Sequence, residues 1–104
     1  MTLENLLRIG RLKAHTASKL EIDRLLVAAE RAATDASVAG LSSDARLDLA
    51  WRAIMQAASA AMLASGYRPA TSEPGHHQLV IQALPKTAGF TAERVLVLDA
   101  YRAA

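Results

Sequence analysis

A chain of 104 residues forms one domain with one modest core, and 52% hydrophobic against 21% charged residues is the balance of a folded chain, not a disordered one. The net charge of +2, carried by basic residues spread along the chain, permits contact with nucleic acid but lacks the clustering of a dedicated phosphate-backbone binder. The absence of cysteine excludes disulfides and thiolate metal sites, and the longest charge-free stretch, residues 53–67, is too short and too alanine-rich to span a bilayer.

Thr2 is placed to cap a short helix over residues 3–12, with Glu4 in the first turn where the helix dipole favours it. Leu3, Leu6, Leu7 and Leu12 give that helix an apolar side, and Gly10 weakens it. The acidic start and the polar residues 13–19 do not read as a signal peptide, so a cytoplasmic protein is expected. Ser18 and Glu21 have the spacing of a capping box, which opens a second helix over residues 19–37. One continuous helix over residues 13–37 stays open as an alternative. The stripe Ile22, Leu25/Leu26, Ala29, Ala32/Ala33, Ala36 faces inward, while Glu21, Arg24, Glu30, Arg31 and Asp35 face out. Arg31 and Asp35 stand four apart as an ion pair, and Gly40 ends the helix at C′.

The central element is a helix over residues 44–66, capped by Ser43 and stopped by Gly66 before Pro69. Leu47, Ala50/Trp51, Ile54, Ala57/Ala58, Ala61 and Ala64 recur at the helical period. Its charges, Asp44, Arg46, Asp48 and Arg52, crowd the first turns, so one end meets water and the other needs cover. Residues 68–73 read as loop. Thr71 or Ser72 caps a helix that tolerates Pro74 and runs to Leu84, where Pro85 stops it and residues 85–89 turn. Thr91 caps a last helix, with Phe90 and Val95 as a hydrophobic staple and Val95, Leu98 and Tyr101/Arg102 on one face. That pattern is cut at Ala104, as in a chain that continues beyond it. Period-2 alternation is absent over any useful length, so no sheet is expected, even at residues 94–98. The reading is one all-α domain over residues 1–104, an up-and-down bundle of four to five helices. Its core is thin because so much of it is alanine, and a partner or second copy could supply the missing cover.

Few residues invite chemistry. His76 and His77 are adjacent, hence about 100° apart on a helix, and do not share one metal ion; no metal and no cofactor is expected. A structural role for one of them beside Asp44 or Asp48 competes with a ligand-facing role. Arg68, in its loop, could meet a phosphate or equally satisfy helix-end carbonyls. Trp51 reads as a core anchor, and Met55 and Met62 as core or interface filler. No phosphate-cradling glycine loop, dinucleotide fingerprint or catalytic triad is present.

The order of these segments carries a resemblance. SSDARLDLAWRAIMQAASAAMLASGYRP, then TSEPGHHQLVIQAL, then a helix containing LDAYRA, resembles the HEPN superfamily of small helical bundles found beside minimal nucleotidyltransferases. The likeness covers residues 19–104. It implies a dimerising four- or five-helix bundle. Many members are ribonucleases of toxin–antitoxin or defence systems, in which an arginine and a histidine in an Arg-x4–6-His motif act on RNA at the dimer interface. The histidine would serve as general acid/base and the arginine would stabilise phosphate charge. Arg102 stands where that arginine is expected, but Ala103 and Ala104 follow it and the histidine is missing. Arg8 and His15 satisfy the spacing at the wrong end of the chain, and we read that as chance.

The leading expectation is therefore a HEPN-like homodimer of a toxin–antitoxin or defence system that binds RNA or is related to a ribonuclease. Arg102 would be its catalytic residue, if the chain continues, and an antitoxin is a possible partner. The first alternative is a non-catalytic binder of nucleotide, or a scaffold for a nucleotidyltransferase partner, using Arg68, His76 and His77. The second is a helical interaction module with no ligand.

Overall fold

The computed structural model describes residues 2–70 and 76–89. Side-chain caps fix where its helices begin. Helix α1 spans Leu3–Arg8, and the Thr2 Oγ1 accepts the Asn5 N–H at 3.1 Å. It stops earlier than expected. The Gly10 N–H donates to the Leu7 carbonyl and the Arg11 N–H to the Leu6 carbonyl, with Gly10 at φ +82°, the paired bonds of a left-handed glycine closure.

The next residues correct the expectation of a sheet-free chain. Leu12–Ala14 form a strand, β1, which pairs antiparallel with β2, Tyr67–Pro69, in the segment read as loop. Strands of three residues are too short to display an alternation of their own, and here the partners are separated by both long helices.

Helix α2 spans Lys19–Ala36. Both halves of its capping box form: the Glu21 N–H donates to Ser18 Oγ and the Ser18 N–H to Glu21 Oε1, each at 3.1 Å. This start rules out a continuous helix over residues 13–37. Ser37 closes α2, and Gly40, at φ +88°, lies in the link beyond it and not at C′. Helix α3 spans Ser43–Ala64, and its cap is Ser42, one residue before the serine expected. The Ser42 Oγ accepts the Ala45 N–H at 3.1 Å. Helix α3 ends at Ala64 with Ser65 as its C-cap, two residues short of the expected range, and Gly66, the expected stop, follows immediately. Helix α4, His76–Gln82, leads into a short α5, Leu84–Thr87. Pro85 does not stop the chain. It sits in the first turn of α5, where a missing N–H costs nothing. The caps expected at Thr71, Ser72 and Thr91, the staple of Phe90 and Val95, and the last helix lie outside the described residues.

The fold is thus all-α, an up-and-down bundle of about five helices with one small ribbon added. Its core gathers on the C-terminal half of α3, where Ala58 and Met62 meet Leu6, Leu12, Leu79, Val80, Ile81, Ala83 and Leu84. Trp51, Ile54, Met55 and Tyr67 pack against that cluster from its edge. The inward stripe of α3 therefore runs through the half-buried Trp51 and Met55 to the buried Ala58 and Met62, while Leu47, Ala57 and Ala64, expected inside, are exposed. Helix α2 packs on α3 and buries only Ala29 and Ala32. Of its expected inward stripe, Leu26 and Ala33 are exposed. The expected Arg31–Asp35 pair is absent among the described residues, whose carboxylate partners are His15 for Glu21, by a hydrogen bond, and Lys19 for Asp23, by an ion pair. An exposed pair of this spacing gains only about 0.3–0.5 kcal/mol, too little to hold two long side chains in place. No described helix is long and apolar enough to cross a membrane.

The cap assignment has a direct test. Ser42→Ala should cost about 1 kcal/mol, a fall of about 4–8 °C in thermal midpoint, whereas Ser43→Ala should cost a few tenths of a kcal/mol. Larger destabilisation by Ser43→Ala in the same melts would return the cap to Ser43.

Candidate functional site

The ribbon is where charged side chains converge. Its register is Leu12↔Pro69, Lys13↔Arg68 and Ala14↔Tyr67. The ladder extends at both ends: the Ala70 N–H donates to the Arg11 carbonyl at 3.0 Å and the His15 N–H to the Gly66 carbonyl at 2.9 Å. In an antiparallel pair, bonded and non-bonded positions alternate. The bonded ends at 11/70 and 15/66 therefore leave Pro69 at a non-bonded position, where its missing N–H is harmless. Alternation also sorts the side chains. Leu12 is buried in the core cluster and Tyr67 packs against it, both on one face. Arg11, Lys13, His15 and Arg68 share the other.

That second face is electropositive by construction. Lys13 and Arg68 are direct cross-strand neighbours, an arrangement of like charges that destabilises a ribbon unless an anion joins it. Among the described residues no carboxylate pairs with Arg11, Lys13 or Arg68. Lys13 is exposed; Arg11 and Arg68 are half-buried, which limits their motion without removing them from water. Arg11 also lines a cleft of about 350 Å³ with Lys86 and the apolar Leu6, Leu79, Ala83 and Pro85.

His15 behaves differently. Its Nε2 lies 2.9 Å from Glu21 Oε2, while Glu21 Oε1 takes the Ser18 N–H. One carboxylate thus ties the end of the ribbon to the first turn of α2. The hydrogen bonds from His15 and from the Ser18 backbone, in that order, hold the Glu21 carboxyl below the usual carboxylate range.

Of the expected site residues, only Arg68 has its side chain among the described residues. Arg68 lies in β2, not in a loop. His76 and His77 open α4, but their side chains lie outside what is described, as does Arg102 altogether. Asp44 and Asp48, suggested as histidine partners, are exposed. Arg8 bonds to Asn5 and His15 to Glu21, so the chance Arg8/His15 spacing forms no shared site. Among the described residues no group of three His, Cys, Asp or Glu is arranged to hold a metal ion. Sequence reading missed Arg11 and Lys13. Residues 11–15 do alternate, Arg11-Leu12-Lys13-Ala14-His15, but five residues of period 2 are too few to mark a strand until its partner is known. Compared with protein-family models, curated proteins and solved structures, the chain matches none.

The Glu21 clamp predicts a pH dependence. A carboxyl with a lowered folded pKa adds stability that is full above its unfolded value of about 4.3 and is lost as pH falls through the folded value. Glu21→Gln keeps an acceptor for the Ser18 N–H but removes the charge. In urea unfolding the wild type should be the more stable protein at pH 7, and the difference should close in the acid range below about pH 4. A difference that stays constant from neutral pH into that range would mean that ionisation of Glu21 contributes nothing.

Proposed function

We propose that this chain is a HEPN-like helical domain that binds RNA through the Arg11, Lys13 and Arg68 face of its ribbon. The observation that carries the reading is the direct opposition of Lys13 and Arg68 with no carboxylate of the described residues between them. Two cations held side by side at a cost in stability are relieved by a phosphate, and the phosphates of one strand suit a cluster of three. The cleft that Arg11 shares with Lys86 adds a fourth cation and an apolar wall beside that cluster. The long pair α2–α3, with a short helix following it, suits the family resemblance of residues 19–104.

The proposal is one of binding. His15, whose side chain is described, is committed to Glu21, so no arginine–histidine pair is assigned to catalysis. A second reading, a helical interaction module, is favoured by a separate observation: Leu20, Leu26, Val27, Val38 and Leu47 are exposed on or beside the long helix pair.

Fluorescence anisotropy with a single-stranded RNA should give a dissociation constant that weakens steeply with salt. Three phosphate contacts predict a slope of about −2 in a plot of log K against log salt. Lys13→Ala with Arg68→Ala should weaken binding at least about tenfold at low salt and flatten that slope to about −1 or less. Binding unchanged by the double substitution would remove the ribbon from the interface. Absence of RNA binding at low salt, with a mononucleotide still bound, would replace this reading with that of a nucleotide-binding helper.

A further inference from the structure

We propose that the outer face of α2 is a self-association surface on which a second copy of this chain docks, the two α2 helices lying parallel about a two-fold axis. The inference is independent of the RNA reading and uses a different face.

Helix α2 has two opposite sides. Ala29 and Ala32 are buried against the body of the domain. About 120–180° around the helix from Ala29, Ala32 and Ala36 lies a line of residues at seven-residue spacing: Leu20, Val27 and Thr34. Leu20 is 58% and Val27 52% exposed, high values for large apolar side chains on a structured helix. Leu20, Asp23, Arg24, Val27, Ala28 and Arg31 together line a shallow groove of about 330 Å³.

Charge decides the occupant and its direction. On one edge of the Leu20–Val27–Thr34 line stand Arg24 and Arg31; on the other stand Asp23 and Glu30. All four are exposed or half-exposed, and among the described residues Asp23 is bonded only to Lys19 of its own turn, at 2.9 Å. A face with one basic and one acidic edge is complementary to itself when a copy lies alongside in the same direction. Arg24 then meets the partner's Asp23, Arg31 meets the partner's Glu30, and both pairs occur twice. An antiparallel copy would bring Arg24 beside the partner's Arg31 and Asp23 beside the partner's Glu30, which is repulsive. Leu20, Val27 and Thr34 form the seam, a seven-residue repeat that suits side-by-side helices. One helix face buries less than a standard interface of about 800 Å² per partner, so the dimer is reversible and concentration-dependent.

The chain has no cysteine, which makes the test clean. Sedimentation velocity across about 10–500 μM should give a reversible monomer–dimer equilibrium, with Val27→Glu monomeric throughout and its melting temperature nearly unchanged. Arg24→Glu with Arg31→Glu makes the stripe acidic, and Asp23→Lys with Glu30→Lys makes it basic. Each variant alone should be monomeric, and an equimolar mixture should dimerise. Direction is read by oxidation: Leu20→Cys should cross-link to itself in a parallel pair. Cross-linking only in a mixture of Leu20→Cys with Thr34→Cys would overturn the parallel arrangement. A wild type that stays monomeric, or a dimer untouched by Val27→Glu, would overturn the surface itself.

Discussion

The chain reverses at Gly66, and most of the tertiary structure depends on that reversal. Its φ of +93° belongs to the left-handed region, where a side chain costs about 1–2 kcal/mol of backbone strain. There is room for a Cβ, so the constraint lies in the backbone and not in crowding. The Gly66 N–H donates to the Leu63 carbonyl at 3.0 Å, which closes α3, and its carbonyl receives the His15 N–H, which extends the ribbon. One residue therefore ends the central helix and also anchors the N-terminal strand at that helix's end. Leu12 and Tyr67 pack on Met62 and its neighbours because β1 and β2 meet just there.

The alanine content has a second consequence. Small residues on the facing side of α2 let it lie close to α3, but they remove little surface from water, so the helix pair is held by contact over its length more than by burial. The large apolar residues of α2 do not all share the alanine side. Leu20 and Val27 fall opposite it, and the helical period leaves each of them more than half exposed. An isolated domain with such a face has an incentive to cover it, and the charges that flank the face determine what can do so.

Much of this was legible in the residues. The box at Ser18 and Glu21, the cap at Thr2 and the stop after Ser65 are local signals, and local hydrogen bonds realise them. Trp51 and Met62 fall on the core side because the 3.6-residue period of α3 places them there. The misreadings have one cause, which is that tertiary contacts settle what local chemistry leaves nearly equal. Ser42 and Ser43 are both competent caps, and the geometry of the link chose between them. Pro85 can end one helix or begin another. Residues 12–14 and 67–69 become strands only because each supplies the other's partners across the two long helices. For the same reason the pairing of Lys13 with Arg68, on which the candidate site rests, could not be read from either segment alone. Arg68 was legible as a basic residue near a turn, but its neighbour was not.

The two surfaces are mechanically linked. Glu21 joins the ribbon to the first turn of α2 through His15 and the Ser18 N–H, so the basic face lies at the N-terminal end of the helix whose outer side is proposed to pair. In a parallel pair the two α2 N-termini lie together, and so do the two ribbons. An antiparallel pair would separate them by about the length of α2, 18 residues or roughly 27 Å. Six cations gathered at one end, instead of three at each, would let one strand of a polyanion engage both copies, with the second contact intramolecular after the first. On the proposed pairing, the charge pattern along α2 would decide more than whether two copies meet: it would determine whether their basic faces act on one ligand or on two.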